Sequence, residues 1–299
     1  MSELSRRDFL RGTLAAGVVA STPGWSRADA AAKRSATDWV TLGNSGVKVT
    51  RLAFGTGTYG GRVQRDLGQQ PFTRLVRHAY DRGIRFFETA DAYSGMPEML
   101  ASALRGVPRD SYRLMTKYRL REQGDPKTTI DRFRRELSSE YFDILLLHCV
   151  RVPDWADQFK RLRDALSEAK DRKIILAHGA SCHGLLPLRA FPASTGWLDV
   201  ALLRINNDGT KMDTLRQVDS DERGDVNEVV GHIKAIHEKG TGVIGMKVMG
   251  EGQFRTPEQR DASIRFVTSL GAVDAVTIGY KSEAEIDEAI ERLDTHLNS

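Results

Sequence analysis

Four side chains at the ends of apolar runs have the types needed to hand a proton to a carbonyl oxygen. Glu88 closes the run 84–88 and Tyr93 stands five residues beyond it. Lys117 follows the run 112–116, and His148 follows 144–147. A free tyrosine titrates near 10, too high for a strong donor at neutral pH. An ammonium beside it favours the phenolate and lowers that value, and a carboxylate keeps the ammonium charged and oriented. An imidazole can hydrogen-bond the carbonyl oxygen and fix its orientation. Other chemistry stays open on the same residues. His148, Cys149, His178, Cys182 and His183 are ligand types for zinc. Barrel metallohydrolases place His-x-His after their first strand, however, and this chain has Gly55-Thr56-Gly57-Thr58 there. Cys149 and Cys182 are also candidates for a disulfide in an oxidising compartment.

These residues need strands to carry them. Residues 39–42 and 47–50, joined across Asn44-Ser45-Gly46, read as a short hairpin. Apolar runs follow at 51–54, 84–88, 112–116, 144–147, 174–177, 200–205, 242–246 and 275–278. Between and after them lie amphipathic stretches at 72–82, 96–105, 127–138, 156–169, 184–190, 226–238, 257–269 and 283–294. Strict alternation implies a parallel sheet, and eight units imply a single (β/α)8 TIM barrel. Active sites of such barrels collect where strands end and helices begin. The string Gly55-Thr56-Gly57-Thr58-Tyr59-Gly60 satisfies the dinucleotide pattern G-x-G-x-x-G of a Rossmann fold. Its context opposes that reading, since polar residues 62–70 predict no helix at the glycines and the next acidic strand end, Glu88, is too distant.

The chain has 299 residues, 40% of them hydrophobic and 28% charged. That composition excludes disorder as the main state. Two cysteines exclude a disulfide scaffold or a four-thiolate metal site. The formal charge of +4 is a small difference between 44 basic and 40 acidic residues, weak grounds for a nucleic-acid partner. Residues 1–30 read as a cleavable signal peptide. Charged residues precede a short stretch of small apolar ones at 12–20, and Ala28-Asp29-Ala30 has the small-x-small spacing of a cleavage site. The apolar stretch is too short for a membrane span. Residues 31–299 then form one domain, with no linker to divide it.

Two resemblances follow from these residues. Ser5-Arg6-Arg7-Asp8-Phe9-Leu10 resembles the twin-arginine (Tat) export signal. It implies a periplasmic protein, the Tat translocase as a partner during export, and a cofactor loaded before the folded chain leaves the cytoplasm. Residues 38–294 resemble the aldo-keto reductases. The resemblance rests on Gly55-Thr56-Gly57, the string 86–93, Thr116-Lys117, the run 143–148 and the stretch 279–288.

The family resemblance implies NADP-dependent (with NAD(H) as an alternative) reduction of an aldehyde or ketone, or oxidation of the corresponding alcohol. Tyr93, Lys117 and His148 match three members of the family's tetrad. Glu88 stands where the family has Asp; it keeps the charge with one more methylene and can reach Lys117 with altered geometry, or Asp91 serves instead. For the cofactor, the resemblance assigns Gly55, Thr56 and Gly57 to the nicotinamide ribose. Ser181 and Asn206 go to the carboxamide, with Cys182 where the family has Asn. Lys281 and Ser282 go to the 2′-phosphate at a helix N-terminus. Glu285 and Glu288 fall at adenine-side positions, and Ala289 replaces an Asn. Lys247 is either a partner of the pyrophosphate or 2′-phosphate, or a solvated rim lysine. The departures at Glu88, Cys182 and Ala289 leave an alternative, a degenerate barrel that binds a nucleotide or a partner without catalysis. Neither the loops 59–70 and 206–225 nor the strand ends name the substrate.

Overall fold

The computed structural model describes residues 33–121, 124–216 and 222–299. The signal peptide and its cleavage site lie outside them. One compact unit runs from Arg34 to Ser299. It opens with an antiparallel hairpin, β1 (Trp39–Thr41) and β2 (Lys48–Thr50). Its turn is locked by the Ser45 hydroxyl, which donates to the Leu42 carbonyl at 2.6 Å.

Eight parallel strands then close into a barrel in the order β10-β3-β4-β5-β6-β7-β8-β9. They are β3 (Leu52–Gly55), β4 (Phe86–Glu88), β5 (Arg113–Arg119), β6 (Phe142–Val150), β7 (Ile175–Cys182), β8 (Val200–Arg204), β9 (Gly242–Met246) and β10 (Ala275–Ile278). Side chains alternate along each strand. One set, including Ala53, Phe86, Met115, Ile144 and Ile244, fills the lumen. The other, including Phe54, Phe87, Leu114 and Leu145, packs against the helices. Leu42, Val47 and Val49 of the hairpin join the lumen set and stopper the foot of the barrel. Gly43 bridges to Thr241 there, and a Cβ at Gly43 would overlap the Gly240 carbonyl oxygen.

The helices follow the apolar periodicity. They are α1 (Arg62–Arg65), α2 (Gln69–Asp81), α3 (Met96–Ala103), α4 (Pro126–Glu136), α5 (Trp155–Gln158), α6 (Lys160–Asp171), α7 (Leu185–Ala190), α8 (Val226–Glu238), α9 (Pro257–Ser269) and α10 (Glu283–Leu297). In α2 the buried residues are Phe72, Leu75, Val76 and Ala79, the one-sided spacing of a helix on a sheet. Caps fix where helices begin. The Asp125 and Asp225 carboxylates accept first-turn N–H groups of α4 and α8, and Thr256 with Gln259 forms a capping box on α9.

Three details differ from the sequence expectation. The polar stretch after the glycines does begin with a helix, the short α1 behind Gly61. The stretch 156–169 is broken at Phe159 into α5 and α6. Strands β5, β6 and β7 run well past their apolar runs, through Lys117, His148 and His178. The closed barrel also replaces the Rossmann alternative.

Candidate active site

The lumen alternation continues upward into polar residues. One step above Ala53, Phe86, Met115 and Ala275 come Gly55, Glu88, Lys117 and Thr277. Register places Gly55 beside Glu88 on adjacent strands. Lys117 Nζ forms a short ion pair with Glu88 Oε1 and donates to the Thr89 carbonyl at 2.9 Å. It also reaches Tyr93 Oη at 3.2 Å. Thr277 Oγ1 donates to the other Glu88 oxygen at 3.2 Å. Gly55 makes room for the longer carboxylate, because a Cβ there would stand 2.6 Å from Thr277 Oγ1 and 3.0 Å from Glu88 Oε2. Glu88 therefore reaches Lys117 without help. Asp91 does not substitute for it, since its carboxylate turns towards α4, 3.9 Å from Arg132 Nη2.

Tyr93 sits in a tight turn whose amides bind β5. The Thr89 and Asp91 N–H groups donate to the Met115 and Lys117 carbonyls. Gly57 lies against the ring, and a Cβ there would come 2.6 Å from Tyr93 Oη. His148 meets the same ring edge-on, with centroids 5.4 Å apart. A bulge in β6 after Leu147 and a left-handed Cys149 (φ 65°) mark this strand end. Bulges of this kind re-aim side chains next to active sites.

Electrostatics correct one expectation. Burial pushes the Tyr93 phenol up to about 12 and outweighs the lowering by the Lys117 charge and hydrogen bond, with Glu88 adding to the rise. Burial also pulls Lys117 down, but Glu88 and Tyr93 more than offset it and its pKa ends above the ordinary lysine value. Burial, then the Lys117, Arg119 and Arg151 charges, hold His148 well below the ordinary imidazole value, so the ring is neutral at pH 7.

The other expected residues are spread around the mouth. Thr56 is buried and its hydroxyl donates to the Glu88 carbonyl at 3.1 Å. Ser181 Oγ accepts the Cys149 N–H at 2.7 Å. Cys182, one residue on, packs into the helix-side core, where burial and Asp213 raise its thiol pKa. Asn206 is fully engaged by its own loop and the end of β9. Its amide donates to the Thr210 and Lys247 carbonyls and accepts from the Asp208 and Gly209 N–H groups. Lys247 has a left-handed backbone (φ 62°) and pairs with Glu251. Ser282 caps α10, and the Glu285 carboxylate accepts the Lys281 N–H at 2.7 Å and faces its ammonium at 3.7 Å. Glu288 turns instead to Arg260 and Arg292.

Both cysteines are free thiols. His178 stacks on Trp197 at 4.4 Å and faces Asp199, outside the lumen, so the five possible zinc ligands are not gathered. Sequence reasoning missed Thr277 and gave Arg204, at the end of its strand, no role. A lone threonine in a buried run, and an arginine closing another, were the available signals. A hollow of about 450 Å3 lies at the foot of the barrel beside Lys48, Asp110 and Arg113, away from these groups.

Known proteins agree with this architecture. A holo aldo-keto reductase from Bacillus halodurans superposes with a TM-score of 0.65 at 18% identity, covering 87% of this chain and 95% of that one. An aldo-keto reductase from Klebsiella pneumoniae, solved with NADPH, gives 0.62 at 15%, covering 85% and 89%. At these identities the likeness shows the fold. Among curated relatives, L-galactose dehydrogenase of Arabidopsis thaliana is 33% identical over 118 residues, 36% of each chain. The 9,11-endoperoxide prostaglandin H2 reductase of Trypanosoma cruzi is 32% identical over 140 residues, 45% of this chain and 46% of that one. The chain spans about half or less of the length of the curated relatives it matches. Residues 3–23 match the twin-arginine translocation signal, so the protein is exported by that pathway. Among the described residues no helix is long and apolar enough to cross a membrane. Residues 51–298, carrying the Glu88, Tyr93, Lys117 and His148 cluster, match the aldo/keto reductase family, to which this chain belongs.

Proposed function

We propose that this chain is an NADP-dependent oxidoreductase that reduces aldehydes or ketones, or oxidises the corresponding alcohols, with Tyr93 as the proton donor. The observation that carries the reading is the hydrogen-bonded chain Tyr93–Lys117–Glu88–Thr277, buried except at Tyr93, with Tyr93 Oη 3.2 Å from Lys117 Nζ. Tyr93 gives its proton to the carbonyl oxygen. Lys117 stabilises the phenolate left behind, and Glu88 holds the ammonium in place. Neutral His148 hydrogen-bonds the oxygen and orients it.

The family uses NAD(P)H, and the donor set here fits it. Tyr93 needs a hydride source opposite it, and Lys247 and Lys281 supply cations for phosphates at the ends of β9 and β10. When bound, the reduced nicotinamide supplies a hydride to the carbonyl carbon. The ribose side would rest on Gly55, Thr56 and Gly57, and the carboxamide near Ser181 and Asn206; Cys182, turned into the helix-side core, would stand away from it. Glu285 competes with a 2′-phosphate for Lys281, so Lys281 and Ser282 must exchange that partner on binding. During export the partner is the twin-arginine translocase, and cleavage after Ala30 leaves the domain 31–299.

Tyr93→Phe tests the reading. It should lower carbonyl reduction about 10²–10⁴-fold while NADP(H) still binds. Full turnover in that variant would end the assignment. A second reading, a barrel that binds nucleotide or a partner without catalysis, is favoured by the internal engagement of Asn206. Tight nucleotide binding with no turnover of any aldehyde would select it.

A further inference from the structure

The first and last residues of the described domain are tied together by side chains of α10. Asn298, which ends that helix, holds both backbone groups of a residue 264 positions away. Its Oδ1 accepts the Arg34 N–H at 2.9 Å, and its Nδ2 donates to the Arg34 carbonyl at 2.7 Å. One turn earlier, Asp294 Oδ1 accepts the Ala36 N–H at 2.7 Å and the Ser35 hydroxyl at 3.0 Å. Ala36 is fully buried, and its carbonyl accepts the Leu52 N–H of β3 at 2.9 Å. The strap 34–36 is therefore clamped between the last helix and the first barrel strand.

The clamp stands close in sequence to a bond that must be cut. The small-x-small site Ala28-Asp29-Ala30 is followed by only three residues, 31–33, before Arg34. Fully extended, three residues reach about 11 Å. Proteolysis concentrates where the backbone is exposed and free of hydrogen bonds. Here the fourth residue after the cut already has its N–H and carbonyl bound to α10. A chain that leaves the cytoplasm folded meets the protease with this clamp closed.

We infer that the Asp294–Asn298 clamp controls removal of the export signal, so that a signal peptidase cuts after Ala30 only when the strap 34–36 lifts from α10. The inference rests on the reading of Ala30 as the cleavage site. In the cut, water hydrolyses the Ala30–Ala31 amide and leaves a carboxylate on Ala30 and an ammonium on Ala31. Lifting the strap is a local opening, because it breaks hydrogen bonds at one helix end and leaves the barrel strands paired. When opening and closing are fast relative to cleavage, the rate of cutting follows the open fraction. The exported barrel keeps its signal until then.

Pulse-labelled full-length chain tests this in cells, by the rate at which exported precursor becomes mature protein. Asn298→Ala removes both Arg34 bonds from an exposed position, and Asp294→Ala removes the bonds to Ser35 and Ala36. A third variant keeps the clamp and inserts a flexible spacer of about six Gly and Ser residues between Ala32 and Lys33. Melting temperatures of the mature domains check that the barrel still folds. Asn298→Ala and Asp294→Ala should each speed conversion about tenfold. The spacer should speed it as much, and adding Asn298→Ala to the spacer should gain nothing more. Conversion at the wild-type rate in all variants overturns the inference, as does a spacer variant no faster than wild type. The mass of the mature protein places the cut. A cut elsewhere than after Ala30 ends the cleavage-site reading and the inference with it. A cut after Ala30 at a rate the variants do not change keeps that reading and ends the inference alone.

Discussion

Glu88 shows how one methylene is accommodated at a reacting centre. The longer carboxylate needs space and an anchor, which Gly55 and Thr277 provide. Lys117 and Glu88 are both nearly inaccessible, so removing one charge leaves the other buried and unpaired. Glu88→Gln should therefore destabilise the fold by about 3–5 kcal/mol, read by denaturant unfolding. A wild-type unfolding curve would show that the pair contributes little. On the proposed mechanism, Tyr93 carries the pH dependence. With its phenol pushed up to about 12, the donor stays protonated across neutral pH. Carbonyl reduction should then be flat from about pH 6 to 9, and alcohol oxidation, which needs the phenolate, should rise with pH. The folded state keeps a proton that the unfolded chain loses near 10. Stability from this group is present below pH 10 and is lost as pH rises towards 12, a trend that Tyr93→Phe should remove. A reduction rate that falls through neutral pH would contradict this assignment.

At the scale of elements, the alternation of strands and helices was legible because buried parallel strands are apolar throughout and their helices are one-sided. The upper ends of β5, β6 and β7 were not. Lys117, His148 and His178 look like loop residues by polarity, yet each continues a hydrogen-bonded strand. The residues that complete the site come from far along the chain. Thr277 and Glu88 are 189 positions apart, and neither spacing nor polarity links them. The break at Phe159 was hidden because α5 and α6 share one apolar face. Close strand packing gives a further test. Gly179 lies so near β8 that a Cβ would overlap the Val200 carbonyl oxygen. Gly179→Ala should cost about 3 kcal/mol and lower the melting temperature, and an unchanged melt would show that β7 and β8 can separate freely.

At the scale of the molecule, the paired arginines decide where the barrel works. Replacing both Arg6 and Arg7 by Lys should leave the protein in the cytoplasm, as read by cell fractionation; continued export would show another route. The stoppered foot adds a condition on the catalytic cycle. Leu42, Val47 and Val49 close the lumen below Lys117, and the chain Glu88–Lys117–Tyr93 has apolar side chains beneath it. The reacting centre is a cul-de-sac. On the proposed mechanism, substrate and product pass through the end above Lys117, opposite the hairpin. On the same mechanism, the proton that Tyr93 gives up returns through the end of the barrel that the hairpin leaves open, the same end by which product departs.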